Sequence, residues 1–203
     1  MQKILLLLKI NNMKYISYLF FSVVLFASCK EKKQKAAELP SDSIFNLTSN
    51  WKNQNNDSLQ LKKLQGKTLV VVMIYTSCKS ACPILVSKMK NIESKISRND
   101  INNVSLVLVS IDPKTDTPQR LKEFAKDNKM DAPQWMFLTS NEGATQEFAN
   151  VLSMKYKKIS PIEFSHSNII SVFNANGELV SQEEGAIDVD KVAKTVHETV
   201  QNS

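Results

Sequence analysis

The residues in the sequence that most clearly could carry out chemistry are Cys78 and Cys82, which lie in the segment 75–83, YTSCKSACP. An apolar, β-branched run at 69–75 predicts a buried strand before them, and Pro83 suits the first turn of a helix after them. The unpaired N–H groups at a helix N-terminus favour thiolate over thiol. Thiolates bind soft metals and carry out disulfide exchange, so the segment predicts a metal site or a redox pair.

A structural disulfide and inert packing of small apolar side chains are the alternatives for this pair. A disulfide here closes only a short loop and stabilises little, and a strand-to-helix junction is a poor place for inert packing. A third ligand would favour a metal site. His166, in the segment 164–167 (FSHS), is either that ligand or, as is more common for a lone histidine before a strand, a hydrogen-bonded polar residue. His197 lies on the polar flank of a terminal helix and is expected to be solvated. Asp112, after a second buried strand, either lies near the site or caps a turn.

The N-terminus has the pattern of an export signal. Residues 1–28 contain three lysines and no acid, an alternative start is available at Met13, and the apolar run 16–27 has the length of a signal-peptide core. The run ends at Cys29 in a sequence similar to the lipobox of bacterial lipoproteins. We therefore expect residues 1–28 to be a signal peptide and 29–43 to be a lipidated cysteine followed by a flexible tether. The folded part would then be anchored to a membrane on the periplasmic side of a bacterial cell envelope.

Composition restricts the remaining choices. The chain has 203 residues, enough for one domain, which we place at 44–203. The formal charge of +6 includes the three lysines of the signal peptide, so the mature chain carries +3, with no basic stripe that would indicate nucleic-acid binding. Of the three cysteines, Cys29 is assigned to lipid, and Cys78 and Cys82 remain as a pair.

Apolar periodicity predicts the elements that position these residues. The continuous runs 69–75 and 104–111 indicate strands buried on both faces, and the spacing of apolar residues between them predicts a helix over 85–96, giving a βαβ unit. Two βα units, a hairpin and a closing helix indicate a thioredoxin-like fold. The further predicted elements are a short strand at 44–47, a short element at 58–64, a helix at 117–128, a strand at 135–138, a helix at 142–152, a solvated loop at 155–158, a hairpin at 169–173 and 178–181, and a helix at 189–200.

Four segments, in order, resemble motifs of the Sco/SenC family of copper proteins. The likeness extends over most of 44–200. Segment 75–83 is similar to the family's YTxCxxxCP motif, and 110–118 (SIDPKTDTP) to its SxDPxxDTP segment. Segment 137–140 (FLTS) resembles a strand end of the family, and 164–167 its histidine loop.

The resemblance implies an α/β, thioredoxin-like fold with a central mixed sheet, flanking helices and a β-hairpin insertion. It also implies that Cys78, Cys82 and His166 are copper ligands. Two thiolates and an imidazole suit Cu(I), and Cu(II) when a further ligand joins. The family commonly has Pro-Asp between its cysteines, where this chain has Lys79, Ser80 and Ala81. The added positive charge of Lys79 should lower the pKa of the thiols.

Two functions follow from the resemblance. The first is a metallochaperone that delivers copper to the subunit carrying the CuA centre of a respiratory cytochrome c oxidase. The second is a thiol–disulfide oxidoreductase in which Cys78 and Cys82 reduce the cysteines of such a subunit or of another extracytoplasmic protein. A peroxidase is a weaker third hypothesis, because neither Arg98 nor Arg120 is evidently placed to activate a thiolate.

Overall fold

The computed structural model describes residues 39–79, 81–161 and 163–203. The predicted signal peptide, Cys29 and most of the predicted tether lie outside these ranges. None of the helices within them has the length and apolar character needed to cross a membrane.

The described residues form the predicted long strands and helices, together with short strands that the apolar pattern did not predict. The strands are β1 Asn50–Asn53, β2 Ser58–Gln60, β3 Thr68–Ile74, β4 Val104–Ser110, β5 Trp135–Thr139, β6 Tyr156–Lys158, β7 Phe164–His166, β8 Ile169–Phe173 and β9 Leu179–Glu184. The α-helices are α1 Ala81–Lys95, α2 Pro118–Asp127, α3 Glu142–Val151 and α4 Val189–Gln201. Short 3-10 turns lie at Ile44–Asn46, Leu61–Leu64 and Ile101–Asn103.

A mixed sheet in the order β2-β1-β5-β4-β3-β8-β9 forms the centre of the fold. Strands β3, β4 and β5 are parallel, while β1 and β8 join them antiparallel. Strands β3 and β4 pair from Thr68 with Val104 to Ile74 with Ser110, and every residue in both is buried. Their carboxyl ends therefore meet at one edge, where the backbone N–H of Ile111 donates to the carbonyl of Ile74. The loops that follow these strands carry the candidate site.

The helices cover the sheet through the apolar faces expected from their sequence. Helix α1 buries Leu85, Met89 and Ile92, and it packs against α4, which buries Val192 and Val196. Because α1 begins directly after the cysteine-bearing loop, this packing fixes the helix N-terminus beneath the two thiols.

Helix α2 shows how a cap sets the start of an element. The hydroxyl of Thr117 accepts a hydrogen bond from the backbone N–H of Arg120, and Pro118 occupies the first helical position, where its missing N–H costs nothing. Phe124 then packs edge-to-face on Phe137 of β5, with ring centroids 6.1 Å apart. This cap lies in the same 110–118 segment whose polar residues reach the candidate site.

The segment 44–47 corrects a prediction. It was expected as a short strand, but Ile44–Asn46 is a 3-10 turn capped by Ser43, whose hydroxyl accepts from the backbone N–H of Phe45. Ile44 and Phe45 are both buried, which a half-exposed strand cannot achieve for adjacent residues. Burial on consecutive positions is what a tight turn against the core provides.

The segment 155–158 corrects a second prediction. It was expected as a solvated loop, but Tyr156–Lys158 is strand β6, paired antiparallel with β7 so that Tyr156 lies opposite His166. Lys157 and Lys158 are exposed, as a loop would be, yet their backbone is paired. These two strands, called the ribbon below, form a separate sheet beside the main one. The predicted hairpin is formed by β8 and β9, which pair antiparallel in the main sheet.

Candidate metal centre

The cysteine-bearing loop connects β3 to α1. It begins with a turn in which the backbone N–H of Cys78 donates to the carbonyl of Tyr75, and Cys82 is the second residue of α1. The backbone N–H of Cys82 donates to the sulfur of Cys78 over 3.3 Å. No disulfide joins the two, and their exposed fractions are 9% for Cys78 and 1% for Cys82. The helix N-terminus thus supplies one of its unpaired N–H groups to a thiol, as the sequence predicts.

The histidine approaches from the ribbon. His166 ends β7, and its Nε2 lies 3.8 Å from the sulfur of Cys82. Its Nδ1 lies 3.1 Å from the carbonyl oxygen of Ser167. Because a carbonyl can only accept a hydrogen bond, this contact places the ring proton on Nδ1 and leaves the lone pair of Nε2 facing the thiols.

The ligand atoms of Cys78, Cys82 and His166 all lie within 4.8 Å of one another. Metal–sulfur and metal–nitrogen bonds of about 2.0–2.3 Å place ligand atoms on a common ion roughly 3.5–4 Å apart. The observed separations require only a small contraction to reach that spacing. Two sulfurs and an imidazole nitrogen are also the donor set that soft transition metals prefer. The three residues therefore fit a metal ion such as copper.

Burial changes the acidity expected at this site. The sequence predicts lowered thiol pKa values, but desolvation raises the pKa of Cys82, and the adjacent Cys78 raises it further. The helix N-terminus does not outweigh the loss of water around a thiol that is almost completely buried. Without a metal, Cys82 is therefore a thiol at neutral pH, and a metal that binds there must displace its proton.

Tyr75 joins the two halves of the site. Its hydroxyl donates to the carbonyl of Phe164 over 3.5 Å and accepts from the backbone N–H of Phe164 over 3.3 Å. Its ring lies 5.1 Å from that of Phe164 and 5.9 Å from that of His166, centroid to centroid. Burial raises the pKa of the phenol, and a hydrogen bond with Cys78 raises it further. One side chain thus touches both the cysteine loop and the histidine strand.

Sequence reasoning missed a buried carboxylate beside the loop. Asp116 is fully buried and accepts hydrogen bonds from Thr76 and Ser110, while Arg120 donates to the Thr76 hydroxyl over 2.6 Å. The topology offered a signal, since Ser110 ends β4 and Thr76 follows β3, whose carboxyl ends meet. Arg120 therefore contacts Thr76, two residues before Cys78.

Two other predicted positions play different parts. Asp112 is buried, and its carbonyl accepts from the backbone N–H groups of Thr115 and Asp116, so it serves the predicted turn. Among the described residues it does not join the three-ligand cluster. His197 is exposed as expected, but its Nδ1 also lies 2.8 Å from the carboxylate of Asp100, a contact that the sequence did not indicate.

Comparison with known proteins places this arrangement in a family. The family model SCO1/SenC matches residues 36–201. A SCO2-like protein of Rickettsia typhi is 27% identical over 155 residues, which cover 73% of this chain and 72% of that protein. The SCO1 protein homolog of Bacillus subtilis is 30% identical over 100 residues, 49% of this chain and 51% of the other.

Solved structures show the same fold. ScoI of Arabidopsis thaliana with copper bound has a TM-score of 0.68 at 22% identity, covering 76% of this chain and 97% of that one. BsSco, a Sco-family cytochrome c oxidase assembly protein in which a disulfide switch was identified, has a TM-score of 0.66 at 23% identity and covers 76% and 92%. The predicted α/β, thioredoxin-like fold is thereby confirmed. Because the family match spans most of the chain, the protein belongs to the SCO1/SenC family.

Proposed function

We propose that this protein binds one copper ion through Cys78, Cys82 and His166 and delivers it to the CuA centre of a cytochrome c oxidase. The observation that carries the proposal is the convergence of three soft ligand atoms, from segments more than eighty residues apart in the chain, within 4.8 Å. Membership of the SCO1/SenC family supports it, as do the relatives solved with copper.

A site with three ligands suits transfer better than storage. A closed structural zinc site normally has four protein ligands, and among the described residues no fourth Cys, His, Asp or Glu joins the cluster. An incoming thiolate of the target can therefore take an open position on the cargo ion and replace the protein's ligands one at a time. The half-exposed His166 and the slightly exposed Cys78 would leave first, and the buried Cys82 last.

The protein's own groups prepare this exchange. The bond from Nδ1 of His166 to the carbonyl of Ser167 keeps the Nε2 lone pair available to the ion. Since burial raises the pKa of Cys82, the ion must displace its proton on arrival, and the thiol regains a proton after transfer. Copper affinity is therefore expected to rise with pH.

The two histidines of the chain provide the test. His166→Ala should raise the Cu(I) dissociation constant of the full-length protein more than about 100-fold, beyond the ~10–100-fold typical of an outer-shell partner. Titration against a competing Cu(I) chelator measures it, and X-ray absorption spectroscopy reports the sulfur and nitrogen ligands directly. The matched control is His197→Ala, which removes the exposed histidine and should leave copper affinity unchanged. Unaltered affinity in His166→Ala would contradict the proposal.

A second function is favoured by the closeness of the two sulfurs. Cys78 is the more exposed thiol and its sulfur receives a backbone N–H, so we propose it as the attacking group toward a target disulfide. Its thiolate would form a mixed disulfide and release one target thiolate, which takes up a proton. Cys82 would then displace the second target sulfur, leaving two target thiols and a Cys78–Cys82 disulfide, with two electrons passed to the target. A small thiol reductant would reset the pair.

His166→Ala also separates the two functions. A reductase that uses only the thiols should keep its rate toward a model disulfide in this variant, whereas copper delivery should be lost. Cys82→Ser should instead accumulate the mixed disulfide, because the resolving thiol is missing.

A further inference from the structure

The charge of Asp116 is not used by the three-ligand cluster. Its side chain is fully buried, and an ionised carboxylate in such a place is costly unless it is hydrogen-bonded. Several hydrogen-bond donors surround the carboxylate. The elements that carry these donors are the ones that the carboxylate can hold in place.

Two of these donors belong to Thr76 in the cysteine loop. The backbone N–H of Thr76 donates to the carboxylate over 3.1 Å, and the Thr76 hydroxyl donates to its other oxygen. The Ser110 hydroxyl donates over 2.6 Å, and the Arg120 guanidinium lies 3.8 Å away. The carboxylate thus accepts a hydrogen bond from Ser110 at the end of β4, and hydrogen bonds from both the N–H and the hydroxyl of Thr76, two residues before Cys78.

Arg120 fixes the orientation of the Thr76 hydroxyl. Its Nε donates to that oxygen over 2.6 Å, so the hydroxyl proton is directed toward Asp116. Between the end of β3 and the start of α1, the described part of the loop has no regular structure. The turn from Tyr75 to Cys78 and the bond from the Cys82 N–H to the Cys78 sulfur also hold it. The hydrogen bonds of Thr76 to Asp116 and Arg120 attach the loop, two residues before Cys78, to the segment that follows β4.

We propose that Asp116 is a positioning residue for the Cys78 thiol, acting through Thr76 and oriented by Arg120. The carboxylate does not touch the ligand atoms. It holds the loop so that the Cys78 sulfur lies within reach of Cys82 and His166 while both thiols are reduced. This deepens the proposed function and rests on it for the copper measurement, but the thiol measurement is independent of copper.

Four substitutions distinguish positioning from plain structural support. Thr76→Val keeps the side-chain shape but removes the hydroxyl between Asp116 and Arg120, and Thr76→Ser restores that hydroxyl. Ser110→Ala removes the hydrogen bond from β4 to the Asp116 carboxylate and changes no residue of the cysteine loop, so it is the matched control. Asp116→Asn keeps the shape without the charge, and where it fails to fold, Thr76→Val decides.

The readouts are the dithiol–disulfide equilibrium of Cys78 and Cys82 in glutathione buffers, the Cu(I) dissociation constant and the thermal midpoint. Because the network is seen with reduced thiols, Thr76→Val should shift the equilibrium toward the disulfide about tenfold, or ~30 mV for two electrons. The dissociation constant should also rise about tenfold. Thr76→Ser should stay within about twofold of the wild type, and Ser110→Ala should lower the thermal midpoint alone.

The proposal is overturned when Ser110→Ala shifts the thiol equilibrium as much as Thr76→Val, or when Thr76→Val lowers the midpoint and leaves the equilibrium unchanged. A wild-type protein that binds no copper would refute the proposed function. The dithiol–disulfide equilibrium would still test whether Asp116 positions the Cys78 thiol.

Discussion

The two halves of the site are built in opposite ways. The cysteines follow β3, which lies inside the main sheet between β4 and β8 and is buried at every residue. The histidine ends β7, a three-residue strand whose one partner among the described strands is the equally short β6, beside the main sheet. Ile159, in the chain between these short strands, is 61% exposed, whereas Ile74 at the end of β3 is 0% exposed.

This difference assigns different tasks to the two halves. Interior strands with neighbours on both sides open only on global unfolding, whereas short exposed ribbons open locally at low cost. The cysteine loop thus starts from a strand that opens only on global unfolding, whereas the imidazole belongs to an element that can open locally during ligand exchange. A metal carrier benefits from this division because its last ligands stay fixed while its first can leave.

Replacing one isoleucine by alanine in each half should give the largest contrast in the free energy of unfolding. Ile74→Ala should lower the free energy of unfolding by about 2–5 kcal/mol, because it opens a cavity at a fully buried position. Ile159→Ala, at an exposed position directly after β6, should change it by less than about 0.5 kcal/mol. Urea denaturation of both variants at unchanged m-value measures the contrast. Similar losses in the two would mean that the ribbon is as firmly built as the sheet.

Removing the connection between the halves should have an intermediate effect. Tyr75→Phe keeps the ring but deletes the hydroxyl that bonds both backbone groups of Phe164. We expect a stability loss of about 0.5–1.5 kcal/mol, measured by urea denaturation. Because the ribbon then holds His166 less firmly, copper affinity should fall about fivefold, the factor that corresponds to ~1 kcal/mol.

The ribbon's own tyrosine is the control for this effect. Tyr156 packs near Phe164, with ring centroids 6.3 Å apart, and its hydroxyl has no hydrogen-bond partner among the described residues. Tyr156→Phe should therefore leave copper affinity within about twofold of the wild type. Equal losses in both variants would show that the hydrogen bonds between the Tyr75 hydroxyl and Phe164 are not what connects the halves.

The first half of the site was predictable from local sequence, and the second was not. The runs at 69–75 and 104–111 are apolar and β-branched over their whole length, so the parallel pair and the loop bearing Cys78 and Cys82 follow from periodicity. His166 has no such local signal. Only the resemblance of its segment to a family motif pointed to it, and the geometry then placed it beside the thiols.

The remaining misses depend on contacts distant in sequence. The lysines of the ribbon indicated exposure, which β6 has, but they carry no information on backbone pairing. Adjacent burial of Ile44 and Phe45 arises from the core and not from strand alternation. The raised pKa of Cys82 and the role of Asp116 follow from burial and from strand ends that meet only in the folded chain. Patterns along the sequence do not contain such facts.

The smallest effect should come from a contact distant from both halves. Asp100 accepts hydrogen bonds from His197 and Gln201 of α4, and the bond with His197 lowers the pKa of its carboxyl. It lies near the start of β4, whereas the site lies beyond the end of that strand, about 20 Å away at 3.3 Å per residue. Asp100→Asn should therefore reduce stability slightly and leave copper affinity unchanged.

The pH dependence of this effect has a definite sign. A carboxyl whose pKa is lower in the folded than in the unfolded state stabilises the fold fully above the unfolded value of about 3.9, and this contribution disappears as the pH falls through the folded value. The stability difference between wild type and Asp100→Asn, measured by urea denaturation, should thus persist from pH 7 to 5 and vanish in stronger acid. Asp131→Asn removes an exposed carboxylate and is the control for the loss of one negative charge. Altered copper affinity in Asp100→Asn would mean that the far end of the sheet is coupled to the cysteine half of the site. The position of the cysteines would then depend on more than the residues around them.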